Sequence, residues 1–293
     1  MSEPHRHHIV GRFYLKNFTT TGKKGGPFHV IGVRNQIIRP STPIREPVVK
    51  DFNRDDGLTD PMSVEKYFAN IEGMIAPVLG KTVECGKLPE SLASRARLVV
   101  FVALTIARLP AFRLRAQDFR PKTSDRAELL PRGLPPAIEK LVALLYERWW
   151  RVYKFPVSAG TLVTSDCPAI LTARSTFLPF TPENFAATMG IFVFPLSSDC
   201  IMLSGIRGAT SSKNVALDTL AVAMANGWQI QAAFSRAEAT GFPPRLFSPL
   251  PDFPTIDHRT NLTTFRKLYP EFRGEILPPN TSANSAPPRE ISR

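Results

Sequence analysis

The first part of the chain carries hydrophobic patterns that predict a buried N-terminal segment followed by a β-hairpin. Residues 9–18 are apolar and aromatic enough to be buried. Two runs rich in β-branched residues, 28–33 and 36–39, lie on either side of the polar pair Arg34-Asn35. Two such runs around a short turn are typical of a β-hairpin.

The middle of the chain shows the spacing of apolar residues that is typical of helices. Three helices are predicted, over residues 61–82, 90–119 and 134–150. The second is apolar on more than one face between Leu98 and Ile106, which indicates a central, buried helix. Pro77 should end or kink the first helix, and Pro110 should kink the second. The buried stripe of the third helix is expected to end with Trp149.

The second half of the chain changes to short strand-like runs. They cover residues 161–164, 169–172, 191–194 and 200–203, with turn residues between them. A further helix is predicted over 213–235, and five prolines between 243 and 254 predict an irregular arm. Strands and helices do not alternate regularly, which favours an α+β fold. We expect an N-terminal β-hairpin, a central helical bundle with a long buried helix, then a small antiparallel or mixed sheet and a helix.

The same patterns predict a single globular domain over residues 1–277. Its helical half extends to about residue 155, and its β-containing half covers 156–277. Residues 278–293 are polar and rich in proline, a composition typical of a disordered tail.

Composition predicts a soluble, cytoplasmic protein. The hydrophobic fraction of 43% is ordinary for a globular chain. The longest apolar run, 98–107, is about half the length of a membrane span. The N-terminus has no apolar segment of the kind found in secretory signals, so no such signal is predicted. Three cysteines without a CxxC pair are expected to be reduced thiols.

Charge suggests an anionic partner. The chain has 37 basic and 25 acidic side chains. Residues 1–155 hold 26 of the basic and 15 of the acidic ones, so they carry nearly all of the excess. Such asymmetry favours contact with nucleic acid or another anion. A well-solvated surface explains the same excess without any partner.

Four ionisable residues are the candidate catalytic groups. His8 directly precedes the buried N-terminal segment, where it can be held in place for proton transfer or ligation. Glu65 and Glu72 are seven residues apart, so they share one edge of a helix. There they can act as acid and base, hold a divalent metal ion, or pair with arginine. Asp166 lies in the turn 164–168, between two strand-like runs. The same turn is also explained by Asp166 capping its own backbone.

Three further residues are candidates for binding. Arg108 ends a buried helix, so its charge needs a phosphate or a carboxylate such as Glu65, Glu72 or Asp166 as a partner. Arg12 lies in the same N-terminal segment as His8, and Ser165 in the same turn as Asp166. No P-loop, GxSxG, HExxH or GxGxxG motif is present.

Several short motifs occur in one order along the chain. They are His8-Ile-Val-Gly-Arg-Phe-Tyr-Leu-Lys-Asn-Phe18, Lys50-Asp-Phe52, Val64-Glu65, Ile71-Glu72, Ala107-Arg108-Leu-Pro110, Thr164-Ser-Asp-Cys-Pro168 and Phe194-Pro-Leu-Ser197. This set resembles the family catalogued as domain of unknown function 4238. The resemblance implies a shared fold and shared site positions, and no reaction. Members usually have Pro, Tyr and Asn where this chain has Gly11, Asn53 and Cys167, and the last difference argues against a catalytic thiol.

Two hypotheses about function follow, and the sequence does not decide between enzyme and non-enzyme. The first is a phosphoester-acting or nuclease-like enzyme, in which His8, Glu65, Glu72 and Asp166 supply acid, base or metal ligands. The second is a non-catalytic protein that binds nucleic acid or an acidic partner, with the same residues in a structural network. The first requires these residues to meet in one cleft.

Overall fold

A computed structural model describes residues 6–252, except 34, 36, 47, 116–130, 174–175, 178–190, 205–214 and 241–244. Within this part the fold is α+β, as predicted. The predicted tail, 278–293, lies outside the described residues. No helix in the described part is both long enough and apolar enough to cross a membrane.

The described strands form three antiparallel groups. A two-stranded ribbon consists of β1 (Arg6–His8) and β4 (Val48–Lys50). A four-stranded sheet has the order β3-β2-β11-β6, formed by β2 (Phe28–Gly32), β3 (Ile38–Ser41), β6 (Thr164–Ser165) and β11 (Arg245–Ser248). A five-stranded sheet has the order β5-β10-β9-β7-β8, formed by β5 (Trp150–Lys154), β7 (Ile170–Ala173), β8 (Thr176–Phe177), β9 (Ile191–Pro195) and β10 (Cys200–Ser204).

The helices are α1 (Arg12–Leu15), α2 (Ser63–Cys85), α3 (Leu92–Ala107), α4 (Pro110–Arg115), α5 (Leu134–Tyr146) and α6 (Val215–Thr240). The hydroxyl of Ser91 accepts a hydrogen bond from the backbone N–H of Ser94 and so caps the start of α3. Gly86 ends α2 in the left-handed conformation, with φ of 63°, which glycine adopts without a steric penalty. Helix α3 packs against both α2 and α5.

The first helix does not end at Pro77, because α2 continues through this residue to Cys85. Pro77 and the residue four positions earlier, Gly73, are both exposed. Because proline has no backbone N–H, the carbonyl of Gly73 receives no helical hydrogen bond from Pro77. This carbonyl therefore faces water, which can donate a hydrogen bond to it instead. The buried stripe continues on the other face with Ile75 and Leu79, and its packing favours one uninterrupted helix.

The prediction that Trp149 belongs to the core is wrong. Helix α5 ends at Tyr146, and the side chain of Trp149 is 64% exposed. The next residue, Trp150, begins strand β5 and packs its ring beside Phe192, with ring centroids 5.8 Å apart. The apolar spacing continues past the point where the chain leaves the helix, so the spacing alone places the helix end too late.

The predicted irregular arm contains strand β11, which lies inside the four-stranded sheet between β2 and β6. Its residues Leu246 and Phe247 are buried. Pro249 and Pro251 follow the strand, where they remove no hydrogen bond from the sheet. Because β2 comes from the first half of the chain and β6 from the second, β11 joins the two halves.

The main core brings the sequence motifs together around Tyr14. The ring of Tyr14 stacks on Phe194 and also contacts Phe101, with ring centroids 5.5 Å apart in both pairs. Its hydroxyl group donates to the backbone carbonyl of Pro195 and bonds Thr164 Oγ1, both at 2.7 Å. Burial raises the pKa of Tyr14, so this hydroxyl stays protonated. The N-terminal segment is thereby fixed to the second half of the chain.

Candidate functional site

His8 is the last residue of β1 and is partly buried. Its Nε2 atom is buried and has no hydrogen-bond partner among the described residues. Burial and, secondly, the charge of Arg12 lower the pKa of His8 from 6.5 to about 4. The imidazole is therefore neutral at pH 7.

The loop between β3 and β4 faces the same imidazole. Hydrogen bonding to the backbone of Ile44 and Pro43, together with the negative charge of Glu65, raises the pKa of His8 and partly offsets the burial. Because Nε2 has no partner among the described residues, we infer that Nδ1–H donates to this loop. That tautomer leaves a lone pair on Nε2, which can accept a proton or bind a ligand.

Helix α2 presents Glu65, Phe68 and Glu72 on one stripe. The guanidinium of Arg108 lies over the ring of Phe68, 4.4 Å from its centroid, and Nη1 donates to Glu72 Oε1. Glu72 is thus one of the partners that the sequence suggested for Arg108. The Arg108 side chain is only 4% exposed, and its Nε atom has no partner among the described residues.

Gly11 allows the N-terminal segment to lie close to this stripe. A Cβ atom at Gly11 would be 2.9 Å from Glu72 Oε1 and 2.6 Å from Phe13 Cε1. Both distances are shorter than normal contacts, so any larger residue requires these side chains to move. Arg12 follows directly and is exposed. The described part of the site therefore has an exposed cation whose charge lowers the pKa of His8.

A buried polar network lies behind Glu65, and sequence reasoning did not identify it. Asn53 is fully buried, and its Nδ2 donates to Glu65 Oε2 at 2.6 Å. Its backbone N–H donates to Nδ1 of His7 at 2.7 Å, and its Oδ1 accepts from Arg113. In the sequence, Asn53 stands in a turn-like stretch and Arg113 among several arginines, and neither pattern distinguishes them.

The turn 164–168 is held from inside the protein. Ser165 is fully buried, and its hydroxyl donates to Gln229 Oε1 at 2.7 Å and accepts from Cys167 N at 3.0 Å. Gln229 Nε2 donates to the carbonyl of Pro168 at 3.0 Å. These bonds explain why the chain turns here, and they occupy the hydroxyl that the sequence suggested for binding.

Asp166 is buried in the same turn, and a chain of contacts joins it to the His8 region. Its backbone N–H donates to the carbonyl of Arg245 at 3.3 Å. Arg245 Nη1 donates to Glu46 Oε2 at 2.7 Å, and Glu46 lies in the loop that faces His8.

The structure therefore gathers most of the candidates. The residues grouped around α2 are His8, Arg12, Glu65, Glu72 and Arg108. Asp166 and Ser165 lie beside β11 and outside this group, and the ion pair of Arg245 with Glu46 connects β11 to the loop that faces His8. The described residues contain no group of three or more His, Cys, Asp or Glu side chains that could hold a metal ion.

Comparison with known proteins identifies a family. The chain belongs to the family described as "Protein of unknown function (DUF4238)", which matches residues 6–133 and 117–238. Searches of curated proteins and of solved structures found no match. The resemblance to this family, inferred from the short motifs, is thus confirmed. The family description assigns no reaction.

Proposed function

We propose that the protein is an enzyme that acts on a phosphoester, with His8 as its proton acceptor. The buried, unpartnered Nε2 of His8 carries this proposal, as judged from the described residues. A buried polar atom without a partner costs free energy. That cost is explained if a ligand or a reacting group completes the site.

The charges around His8 favour an anionic substrate. Arg12 is exposed and close enough for its charge to lower the pKa of His8. A phosphate group bound to Arg12 would cancel this effect and add negative charge of its own. Both changes favour the protonated imidazole, so substrate binding would raise the pKa of His8 from about 4 towards the working pH.

The reaction we propose is attack on the ester by water. The water oxygen bonds to phosphorus, the ester P–O bond breaks, and the proton of the water passes to His8 Nε2. The leaving oxygen takes a proton from solvent. Glu65, whose charge favours the protonated form of His8, stabilises the imidazolium ion that forms.

A second candidate is a non-catalytic protein that binds nucleic acid or an acidic partner. Its support is that several candidate residues already have structural partners. Arg108 is paired with Glu72, and the hydroxyl of Ser165 is bonded to Gln229. The excess of basic residues in the first half of the chain suits such a partner.

Hydrolysis of two generic substrates, p-nitrophenyl phosphate and bis(p-nitrophenyl) phosphate, tests the first candidate. The assays should include reactions with and without Mg²⁺. We expect hydrolysis by the wild-type protein, and a decrease on the order of 10²–10⁴-fold in His8→Gln, because a positioned proton acceptor contributes about this much.

His29→Gln is the matched control, since His29 lies in β2, is not among the residues assigned to the proposed site, and also has a buried ring nitrogen, Nδ1, without a partner among the described residues. It should hydrolyse both substrates like the wild type. Equal rates for wild type and His8→Gln would contradict the proposal. Salt-sensitive binding of nucleic acid without hydrolysis would favour the second candidate.

A further inference from the structure

Asn53 occupies a position that connects several parts of the proposed site. It lies between β4 and α2 and is fully buried. Its backbone N–H donates to His7, and its side-chain amide bonds Arg113 on one side and Glu65 on the other. A buried amide that is bonded at both ends has a single favourable orientation.

Arg113 determines that orientation. A guanidinium group only donates hydrogen bonds, so the amide atom facing Arg113 must be the oxygen. Arg113 itself is held, because Nη1 donates to the carbonyl of Phe52 at 2.6 Å and its guanidinium lies 3.7 Å from the centroid of the Phe52 ring. The amide nitrogen of Asn53 must then face Glu65.

The bond from Asn53 to Glu65 fixes one oxygen of the carboxylate. The amide nitrogen only donates, so Glu65 Oε2 is the acceptor, at 2.6 Å. Oε1 takes no part in this bond, and the negative charge of Glu65 raises the pKa of His8. The carboxylate is therefore oriented by a rigid, buried group and not by solvent.

We propose that Asn53, oriented by Arg113, is a positioning residue that holds the carboxylate of Glu65 beside His8. This inference rests on the proposed function, since it assigns Asn53 a task in the same site. Groups that orient a functional side chain affect activity strongly. At metal sites, removing such outer partners costs roughly 10–100-fold, and the same requirement for rigid support applies to any designed or natural site.

The test compares Asn53→Ala with Glu65→Gln and with Asn226→Ala. Asn226 is the matched control, because it is also fully buried and also bonds the chain through its amide, to Val163 N–H and to the carbonyl of Thr161. It takes no part in the proposed site. The measurement is the pH titration of the His8 imidazole by NMR, with hydrolysis of bis(p-nitrophenyl) phosphate as a second readout.

Glu65→Gln should lower the titration midpoint of His8, because the negative charge that favours imidazolium is lost. Asn53→Ala should lower it in the same direction and reduce hydrolysis by about tenfold or more. Asn226→Ala should leave both unchanged. The inference would be overturned if the His8 midpoint in Asn53→Ala equalled that of the wild type. It would also be overturned if Glu65→Gln did not shift this midpoint.

Asn53→Asp covers the case in which Asn53→Ala does not fold. An Asp at this position keeps the shape and still accepts from Arg113, but in its ionised form it has no donor for Glu65 and repels that carboxylate. We expect a folded protein with hydrolysis reduced to a similar degree, whereas full activity would contradict the positioning role. A further outcome is that the wild type hydrolyses neither substrate while Asn53→Ala still lowers the titration midpoint of His8. In that case Asn53 does position Glu65, and the proposed phosphoester reaction is wrong.

Discussion

Replacing Glu72 by Gln is expected to lower the free energy of unfolding by up to about 3–5 kcal/mol, the cost of removing one partner from a buried ion pair, because Arg108 is buried and Glu72 is only 23% exposed. The loss falls on Arg108, whose side chain is 4% exposed and cannot turn towards water. The ring of Phe68 beneath it attracts a cation only weakly by comparison. Urea denaturation measures the change.

Lys66→Ala is the control for this experiment, because Lys66 lies on the same helix and also forms an ion pair, with Asp60. Both side chains of this pair are exposed, Lys66 by 69% and Asp60 by 43%. Exposed pairs contribute little to stability, so the urea midpoint should barely change. A Glu72→Gln variant that is as stable as Lys66→Ala would show that Arg108 is not confined as described.

Replacing Phe101 by Ala is expected to cost roughly 3–5 kcal/mol, as for other large aromatic residues in a core. Phe101 is 2% exposed and lies among three rings, with centroid distances of 5.3 Å to Phe13, 5.5 Å to Tyr14 and 5.2 Å to Phe194. These rings come from α1 and β9, so the cavity would weaken the joint between the two halves of the chain. Thermal and urea unfolding both report this loss.

Trp149→Ala is a control of the same chemical class. The side chain is 64% exposed, so its removal should change the unfolding midpoint little. A large loss for Trp149→Ala, or a small one for Phe101→Ala, would contradict the description of the core.

The helices were predictable because their periodic apolar stripes decide both their existence and the face that they bury. The stripe through Phe68, Ile71 and Ile75 is confirmed, and so is the buried character of α3. Helix ends were less predictable, since they depend on tertiary packing. Leu79 extends the buried stripe past Pro77, and the chain turns before Trp149 although the apolar spacing continues.

Strand β11 was not predictable from local patterns. It has only four residues, Arg245–Ser248, and prolines stand on both sides of it. Its strand conformation comes from pairing with β2 and β6, which are far away in the sequence. Such non-local pairing overrides the local tendency of a proline-rich segment to be irregular.

The candidate site was predictable residue by residue but not as a network. His8, Glu65 and Arg108 attract notice because each is ionisable and lies next to an apolar segment. Spacing also suggested that Arg108 pairs with a carboxylate, and Glu72 provides it. Asn53 is a neutral residue in a turn, and nothing in the sequence marks it as part of a site. Its bond to Glu65 forms only because the segment between β4 and α2 packs against α2.

The central claim is that His8 Nε2 faces a place for an anionic ligand, and the pH titration of the His8 imidazole with and without inorganic phosphate tests it most directly. Without phosphate, burial and Arg12 should keep the pKa of His8 near 4. Phosphate should raise the midpoint, because a bound anion beside the ring favours the protonated form. A midpoint near 6.5 that phosphate does not move would contradict the account, since it would make His8 an ordinary solvent-exposed histidine with no ligand beside it.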